Sequence, residues 1–152
     1  MALELKHIAP YLPYGLKCKY ADSPTIWEID IFAHKINHDD DKLPIYHLIR
    51  QDEGVTTCKP ILRPLSDLTK PIEHNGERFV PLEIIVAIAL KEMDIKESDA
   101  VILSRMIMYN DNIHKIPFWC IQKLIEWKFD IFNLIEKGEA IDVNTLEANP
   151  YK

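Results

Sequence analysis

The densest group of side chains that could take part in chemistry lies in HKINHDDDK, residues 34–42. The imidazole and carboxylate groups of His34, His38 and Asp40 are of the kind that binds a divalent metal ion. Histidines at this spacing share a face only on a helix, whereas the surrounding residues predict a strand that runs into a turn. Consecutive aspartates also point in different directions, unlike the alternating oxygen ligands of a calcium loop. We therefore expect a solvated acidic turn, and the alternative is a metal-dependent hydrolase or nuclease that uses the cluster His34–Asp41.

A second candidate site is KPILRPLSDLT, residues 59–69, a loop that its prolines make rigid. The guanidinium of Arg63 is a planar fork that can bind a carboxylate or a phosphate, and Asp67 follows it in the same loop. These two residues either tie the loop to itself or to the sheet, or they bind a partner, because rigid loops often carry contacts. Trp119, at the edge of the apolar stripe of the last helix, is a further residue that a partner could contact, whereas Trp127 is expected in the core.

Motifs for nuclease chemistry are weak. Asp111 together with Glu126-Trp127-Lys128 loosely matches the acidic residue and the E-x-K pattern with which some nucleases hold a metal ion and an attacking water. That pattern normally lies on a strand, and on the helix expected here Glu126 and Lys128 point apart. We therefore do not expect a nuclease site at these residues.

The cysteines and glycines argue against several other kinds of site. Cys18, Cys58 and Cys120 are far apart and form no C-x-x-C pair, which predicts free, partly buried thiols rather than a disulfide framework or a zinc site. The chain has only four glycines and contains neither a Walker loop nor G-x-G-x-x-G. We expect no cofactor, and these observations favour a protein that is not an enzyme.

The composition is that of a folded, acidic protein. The chain has 152 residues, of which 47% are hydrophobic and 28% charged, and this predicts one globular domain over residues 1–152. A net charge of −6 disfavours nucleic-acid binding, since such binding needs a positive surface. A local basic face at Lys17 and Lys19 is the remaining alternative for binding nucleic acid.

The hydrophobic segments predict no contact with a membrane. The N-terminal residues lack the apolar region of a signal peptide. The longest apolar window, IIVAIAL at residues 84–90, is too short to cross a bilayer. We therefore expect a cytoplasmic protein.

The N-terminal half predicts strands. Residues 15–20 and 25–36 alternate between apolar and polar side chains, as a half-covered antiparallel strand does. The segment PIEHNGERFV, residues 71–80, predicts a hairpin with Asn75-Gly76 in a type I′ turn, because both central positions of that turn need a positive φ.

The C-terminal half predicts helices. Residues 82–93 are apolar almost all round, so we expect this helix to be buried. Residues 99–109 predict a second helix, with a strand as the alternative. Residues 117–137 predict the longest helix, with a bend or break near Asp130 as the alternative. The tail LEANPYK is expected to fray. This order indicates the α+β class, with a small antiparallel sheet from the N-terminal half packed by two or three helices from the C-terminal half.

Three segments of the chain have a familiar sequence: LELKHIAPYLPYGLK at 3–17, KPILRPLSDLTKPIEHNGERFVP at 59–81 and LIEWKFDIFNLIEKGEAIDVNTL at 124–146. Together they resemble a group of small uncharacterised proteins encoded by phages and prophages of the Bacteroidetes. The resemblance provides no activity, cofactor or catalytic residue that can be carried over to residues of this chain. It implies a protein made inside a bacterial cell from a mobile element, where small acidic proteins often bind host or phage proteins. We therefore expect a phage or prophage accessory protein of unknown activity that binds another macromolecule. That partner is expected to be a host protein, a phage protein or a second copy of the chain.

Overall fold

The computed structural model describes residues 3–49, 58–109 and 113–152. The chain groups into two compact units. Unit 1 comprises Met1–Leu62 and Phe132–Pro150, and unit 2 comprises Arg63–Ile131 and Tyr151–Lys152. This grouping neither confirms nor contradicts the prediction of a single domain over residues 1–152.

Unit 1 is built on a five-stranded sheet with the order β3-β2-β1-β4-β7. Its strands are β1 (Lys17–Tyr20), β2 (Ile26–Asp30), β3 (Lys42–Pro44), β4 (Cys58–Leu62) and β7 (Ile141–Asp142). The central strand β1 is antiparallel to β2 and β4, while the outer strands β3 and β7 pair in parallel with β2 and β4. Two short helices belong to the same unit, α1 (Leu5–Ile8) and α2 (Tyr46–Ile49).

The alternation predicted for β2 is present, but the strand is shorter than predicted. Trp27 and Ile29 are buried on one face of β2, and Glu28 on the other face pairs with Lys17 and Lys42. The hydrogen bond from Lys42 is the main reason that the pKa of Glu28 lies below its usual value. The strand ends at Asp30, whose carboxylate accepts a hydrogen bond from the backbone N–H of Phe32 at 2.8 Å. The prediction of a strand over residues 31–36 is therefore wrong, because this side chain replaces the next ladder hydrogen bond with a local turn.

Unit 2 contains a hairpin and three helices. These elements are β5 (Ile72–His74), β6 (Glu77–Phe79), α3 (Pro81–Lys91), α4 (Glu97–Tyr109) and α5 (Phe118–Glu126). The hairpin is confirmed, with Asn75 at φ 51° and Gly76 at φ 81° and with Glu73 opposite Arg78. A helix at residues 99–109 is also confirmed, so the strand alternative is wrong there. The α+β class is confirmed, although the five-stranded sheet is mixed rather than wholly antiparallel.

The prediction of a helix over residues 117–137 is wrong for its second half. Helix α5 ends at Glu126, and Lys128 adopts a φ of 64°, which a helix cannot contain. The backbone N–H of Arg63 donates to the carbonyl of Lys128 at 2.7 Å, and the N–H of Asp130 donates to the carbonyl of Arg63 at 2.8 Å. The N–H groups of Lys128 and Phe129 still donate to the carbonyls of Ile125 and Leu124 at the end of α5, and the residues that follow pair with Arg63 and then form turns. The apolar periodicity beyond Glu126 therefore reflects packing of a non-helical segment.

The C-terminus is ordered in unit 2, against the prediction that the tail frays. The side chain of Tyr151 is buried, and its carbonyl accepts a hydrogen bond from the N–H of Asn75 at 2.9 Å. Lys152 lies 3.6 Å from a carboxylate oxygen of Glu73. The β-branched residues of VTTC, residues 55–58, predict a further short strand, and of this strand only Cys58 belongs to the described residues.

Among the helices of the described residues, none combines the length and the apolar character that crossing a membrane requires.

Candidate functional site

Arg63 is buried, with 3% of its surface exposed. Its Nε donates to the carbonyl of Trp127 at 3.1 Å, and its Nη2 donates to the carbonyl of Glu73 at 2.7 Å. The guanidinium also lies 5.9 Å from the centre of the Tyr151 ring. Burial lowers the pKa of Arg63, while Tyr151 and Asp67 act in the opposite direction. The side chain thus joins the loop, the hairpin and the end of α5, which is the structural role that the sequence left open.

Asp67 is held inside the same unit. It is buried in the turn Leu65–Thr69, and its Oδ1 accepts a hydrogen bond from Nζ of Lys70 at 2.8 Å. Binding of a partner by Arg63 and Asp67 stays a prediction, and the burial of both side chains lends it no support. Trp119 on α5 is half-buried, so its contact with a partner also stays a prediction. Trp127 is buried, as predicted.

A group of basic side chains surrounds the ring of Tyr151. Lys128 is completely buried, its Nζ donates to the carbonyl of Glu126 at 2.8 Å, and it lies 5.2 Å from the centre of that ring. The imidazole of His74 is 6.2 Å from the same ring, and its Nδ1 has no hydrogen-bond partner among the described residues. Burial, followed by the charges of Lys128 and Arg63, lowers the pKa of His74 to about 4. A neutral imidazole is therefore part of the packing of unit 2.

The depressed pKa of His74 predicts a loss of stability in mild acid. Because the folded-state pKa of about 4 lies below the ordinary histidine pKa of 6.5, the unfolded chain binds this proton first. The contribution of neutral His74 is complete above the unfolded pKa and is lost as the pH falls from there towards the folded pKa. We expect the free energy of unfolding to fall by up to about 1.4 kcal/mol per pH unit in that interval through this group.

Urea unfolding between pH 7 and pH 4.5 measures this effect. The variant His74→Phe keeps an aromatic ring and cannot titrate, so its stability should depend less steeply on pH than that of the natural chain. His34→Phe changes an exposed histidine and is the matched control, which should leave the slope unchanged. Equal slopes for the natural chain and His74→Phe would show that His74 is not buried in its neutral form.

The acidic segment at residues 34–41 is an exposed turn. His38 packs its ring 5.3 Å from that of Trp27, and Oδ2 of Asp40 accepts a hydrogen bond from the side-chain amide of Asn37 at 2.9 Å. Within residues 3–49, 58–109 and 113–152, no group of three or more His, Cys, Asp or Glu side chains is arranged to hold a metal ion. A metal site at His34, His38 and Asp40 stays a prediction, and this geometry does not favour it.

The thiols of the three cysteines are buried. Cys18, Cys58 and Cys120 are all free and buried, as the sequence predicted in part. A hydrogen bond to Cys58, followed by burial, raises the pKa of Cys18, and burial raises the pKa of Cys120 to about 12. Because the thiolate is the nucleophile, these two cysteines are not suited to attack a substrate.

A histidine that the sequence did not single out contacts a tyrosine in unit 1. The hydroxyl of Tyr20 lies 2.6 Å from Nδ1 of His47. Burial lowers the pKa of His47, and burial is also the main cause that raises the pKa of Tyr20 to about 12. The pair has no local sequence signal, because strand β1 and helix α2 are far apart along the chain.

The described residues give little support to a nuclease site or to nucleic-acid binding. Glu126 pairs with Lys123 at 3.1 Å, Lys128 is buried as described above, and Asp111 lies outside the described residues. On β1, Nζ of Lys17 lies 3.4 Å from a carboxylate oxygen of Glu28. A basic face at Lys17 and Lys19 is therefore partly neutralised.

The outward side of α3 is the most unusual surface of unit 2. Pro81, Ile85 and Ala89 are the buried residues of this helix. On the opposite side lie Glu83, Ile84, Ala87, Leu90 and Lys91, which we call the α3 face. Ile84 and Leu90 are each 38% exposed. The prediction that this helix is buried is thus wrong for half of its circumference, although its apolar character all round is normal only for a helix that is covered.

Helix α4, which packs against α3, has the same character. Its buried residues are Ala100, Leu103 and Ile107. Its outward residues are Val101, Ile102, Arg105, Met108 and Tyr109, which we call the α4 face. Ile102 is 55% exposed and Tyr109 69% exposed. The apolar side chains of this helix are therefore divided between the core and the surface.

A groove of about 560 Å³ runs along one side of α3. It is lined by Thr69 and Val80 and by residues spaced along the helix, Leu82, Glu83, Val86, Ala87, Leu90 and Lys91. The lining is mostly aliphatic, and its two charged residues lie near the two ends of the helix. A groove of this kind can receive apolar side chains of another helix.

Comparison with models of protein families, with curated proteins and with solved structures found no match to this chain.

Proposed function

We propose that this protein is a phage or prophage accessory protein that acts by binding another protein, and that the α3 and α4 faces of unit 2 are its contact surface. The observation that carries the proposal is the exposure of apolar side chains on two adjacent helices. The phage context is supported only by the resemblance of the three segments at residues 3–17, 59–81 and 124–146.

The size and type of the exposed side chains support a protein partner. Soluble proteins rarely leave large aliphatic and aromatic side chains together in water, and where they do, the patch is commonly an interaction site. Tyrosine and methionine are enriched in protein interfaces, and Tyr109 and Met108 are both exposed on the α4 face. A single Arg105 lies among these apolar side chains, and arginine is also frequent in interfaces.

Other functions receive no comparable support. A hydrolase or nuclease needs a nucleophile or a metal-binding group, and the described residues contain no such metal-binding arrangement. Nucleic-acid binding needs a positive surface, whereas the chain has a net charge of −6. Protein binding is the function that an exposed apolar helical surface serves directly.

Site-specific photo-crosslinking tests the proposal. A photoreactive amino acid replaces Ile102 on the α4 face, and the variant is irradiated in a lysate of the bacterial host. We expect a discrete covalent adduct whose second component is identified by mass spectrometry. The same amino acid at Ser66, an exposed position of unit 2 outside both faces, is the matched control and should give no adduct.

A disruptive substitution sharpens the result. Ile102→Glu places a charge among the apolar side chains of the α4 face and should abolish capture of the identified partner without changing the unfolding transition, because the side chain is exposed. Equal adduct yields at positions 102 and 66, or capture that Ile102→Glu leaves unaltered, would count against this surface.

A further inference from the structure

The residue types of the α3 face are arranged almost symmetrically along the sequence about Ala87. Glu83 and Lys91 lie at equal distances before and after it along the sequence, and so do Ile84 and Leu90. The two members of the outer pair carry opposite charges, and the two members of the inner pair are large and aliphatic. Reversal of the helix therefore places a complementary residue at each of these positions.

The helical geometry puts all five side chains on one surface. At about 100° per residue, Glu83 and Lys91 lie within about 80° of each other, with Ala87 between them. At a rise of about 1.5 Å per residue, each charge is about 6 Å along the axis from Ala87. The buried residues Ile85 and Ala89 lie on the other side of the helix, so Ala87 marks the centre of the exposed side.

Both charged side chains of the α3 face, Glu83 and Lys91, can form ion pairs with a partner. No ion pair of Glu83 or Lys91 is present within the parts of the chain that the structure describes, and both side chains are exposed. This contrasts with Glu28, Asp67 and Glu126, which are each paired with a lysine. A partner of the α3 face can therefore supply a base opposite Glu83 and an acid opposite Lys91.

From this pattern we infer that the occupant of the α3 face is a second copy of this chain, with the two α3 helices packed antiparallel about a two-fold axis through Ala87. Glu83 of each copy then faces Lys91 of the other, and Ile84 faces Leu90. A two-fold interface must be self-complementary in this way. The inference rests on the proposed function, because it names the protein that covers one of the two faces.

The packing at the axis suits this arrangement. Helices pack with their axes about 8 to 10 Å apart, and the closer distances need small residues at the point of contact. Ala87 supplies that small residue in both copies. The groove beside it, lined in part by Val86 and Leu90, receives an aliphatic side chain of the second helix. The apolar outer side of α3 is then covered, as a helix that is apolar all round requires.

Charge reversal tests the arrangement directly. The natural chain, Glu83→Lys, Lys91→Glu and the double variant are compared by sedimentation equilibrium over a wide range of concentration. We expect a dimer for the natural chain. Each single reversal replaces two attractive pairs by two repulsive ones and should raise the dissociation constant about tenfold or more. The double reversal restores both pairs and should return the constant to within about threefold of the original.

Two controls keep this test specific. Arg105→Glu reverses a charge on the α4 face and should leave the dissociation constant of the dimer unchanged. Ala87→Cys places one thiol of each copy at the two-fold axis, within the distance that a disulfide can span. Oxidation with diamide should link this variant into a covalent dimer, whereas Ser66→Cys should stay monomeric on a denaturing gel.

The outcomes separate this inference from the proposed function. A chain that stays monomeric at several hundred micromolar, or a dimer in which the double reversal does not restore what the single ones remove, overturns the antiparallel α3 pairing. If the α3 pairing is overturned but an adduct with a different protein forms at position 102, the proposed function holds without the dimer. If the dimer forms and no such adduct is found, self-association is the only protein binding that remains.

Discussion

Replacement of Arg63 by alanine should lower the free energy of unfolding of unit 2 by about 3 to 5 kcal/mol. The carbonyls of Trp127 and Glu73 would each lose their hydrogen bond from the guanidinium. An unpaired buried carbonyl costs about 1 to 3 kcal/mol, and the space left by the side chain adds to this. Since whole domains are stable by only about 5 to 15 kcal/mol, the variant should be at the limit of folding at room temperature.

Urea unfolding followed by tryptophan fluorescence measures this loss. In a Trp27→Phe background, Trp119 and Trp127 are the remaining tryptophans, and both belong to unit 2. Arg78→Ala removes an exposed arginine of the hairpin and is the matched control, for which we expect a change within about 0.5 kcal/mol. If Arg63→Ala were no more destabilising than Arg78→Ala, Arg63 would not hold unit 2 together.

Arg63→Lys separates charge from geometry. Lysine keeps the positive charge, but its ammonium group cannot reproduce two donors fixed in one plane. We expect most of the loss seen with alanine to persist, because the two accepting carbonyls belong to different segments of the chain. Stability equal to that of the natural chain would indicate that a buried charge alone is required.

Replacement of Tyr151 by alanine is the second change with a large expected effect. The ring is buried beside His74, and the cationic groups of Arg63 and Lys128 lie over it. Substitution of a buried aromatic residue by alanine typically costs about 3 to 5 kcal/mol, and the cations would also lose their contact with the ring. We therefore expect unit 2 to lose about 3 to 5 kcal/mol of stability although the residue is next to the C-terminus.

The neighbouring residue provides the control for this experiment. Lys152 is exposed, and its pairing with Glu73 at 3.6 Å is a surface interaction. Lys152→Ala should change the free energy of unfolding by less than about 0.5 kcal/mol in the same urea titration. A small effect of Tyr151→Ala, equal to that of Lys152→Ala, would mean that the C-terminus does not contribute to unit 2.

Together these results would show that the segment from Arg63 to Thr69 stabilises the fold of unit 2. Residues 59–62 of the predicted loop are instead part of strand β4. Arg63 and Asp67 are buried, and the hydrogen bonds of Arg63 connect segments that are distant in sequence. The surface that we propose for binding lies instead on α3 and α4. The rigid loop supports it, since the turn Leu65–Thr69 packs against both of these helices.

The apolar character of α3 is visible in the sequence, where it predicts that the helix is buried. The composition of a helix shows that its sides avoid water, but it does not show whether the same chain or another one covers them. Only the folded structure shows that Ile85 and Ala89 are fully covered within unit 2 while Ile84 and Leu90 are partly exposed. This difference between apolar character and burial is what locates the candidate site.

The sequence by itself determined the features that depend on neighbouring residues. Asn75-Gly76 requires a turn with positive φ, Pro81 begins a helix, and the alternation around Trp27 gives a half-covered strand. The α+β class follows from the order of these local elements. In each case, the conformational preferences of a few adjacent residues are strong enough to decide the outcome.

Only the tertiary structure decided where α5 ends, which strands pair in parallel and whether Arg63 is buried. Each of these depends on a partner far along the chain, as Arg63 does on Trp127 and Lys128. Local periodicity favours a helix through residue 137, but hydrogen bonds donated and accepted by Arg63 hold the segment after Glu126 in another conformation. Such long-range contacts have no signature in the spacing of nearby residues, because their energy is gained only when distant segments meet.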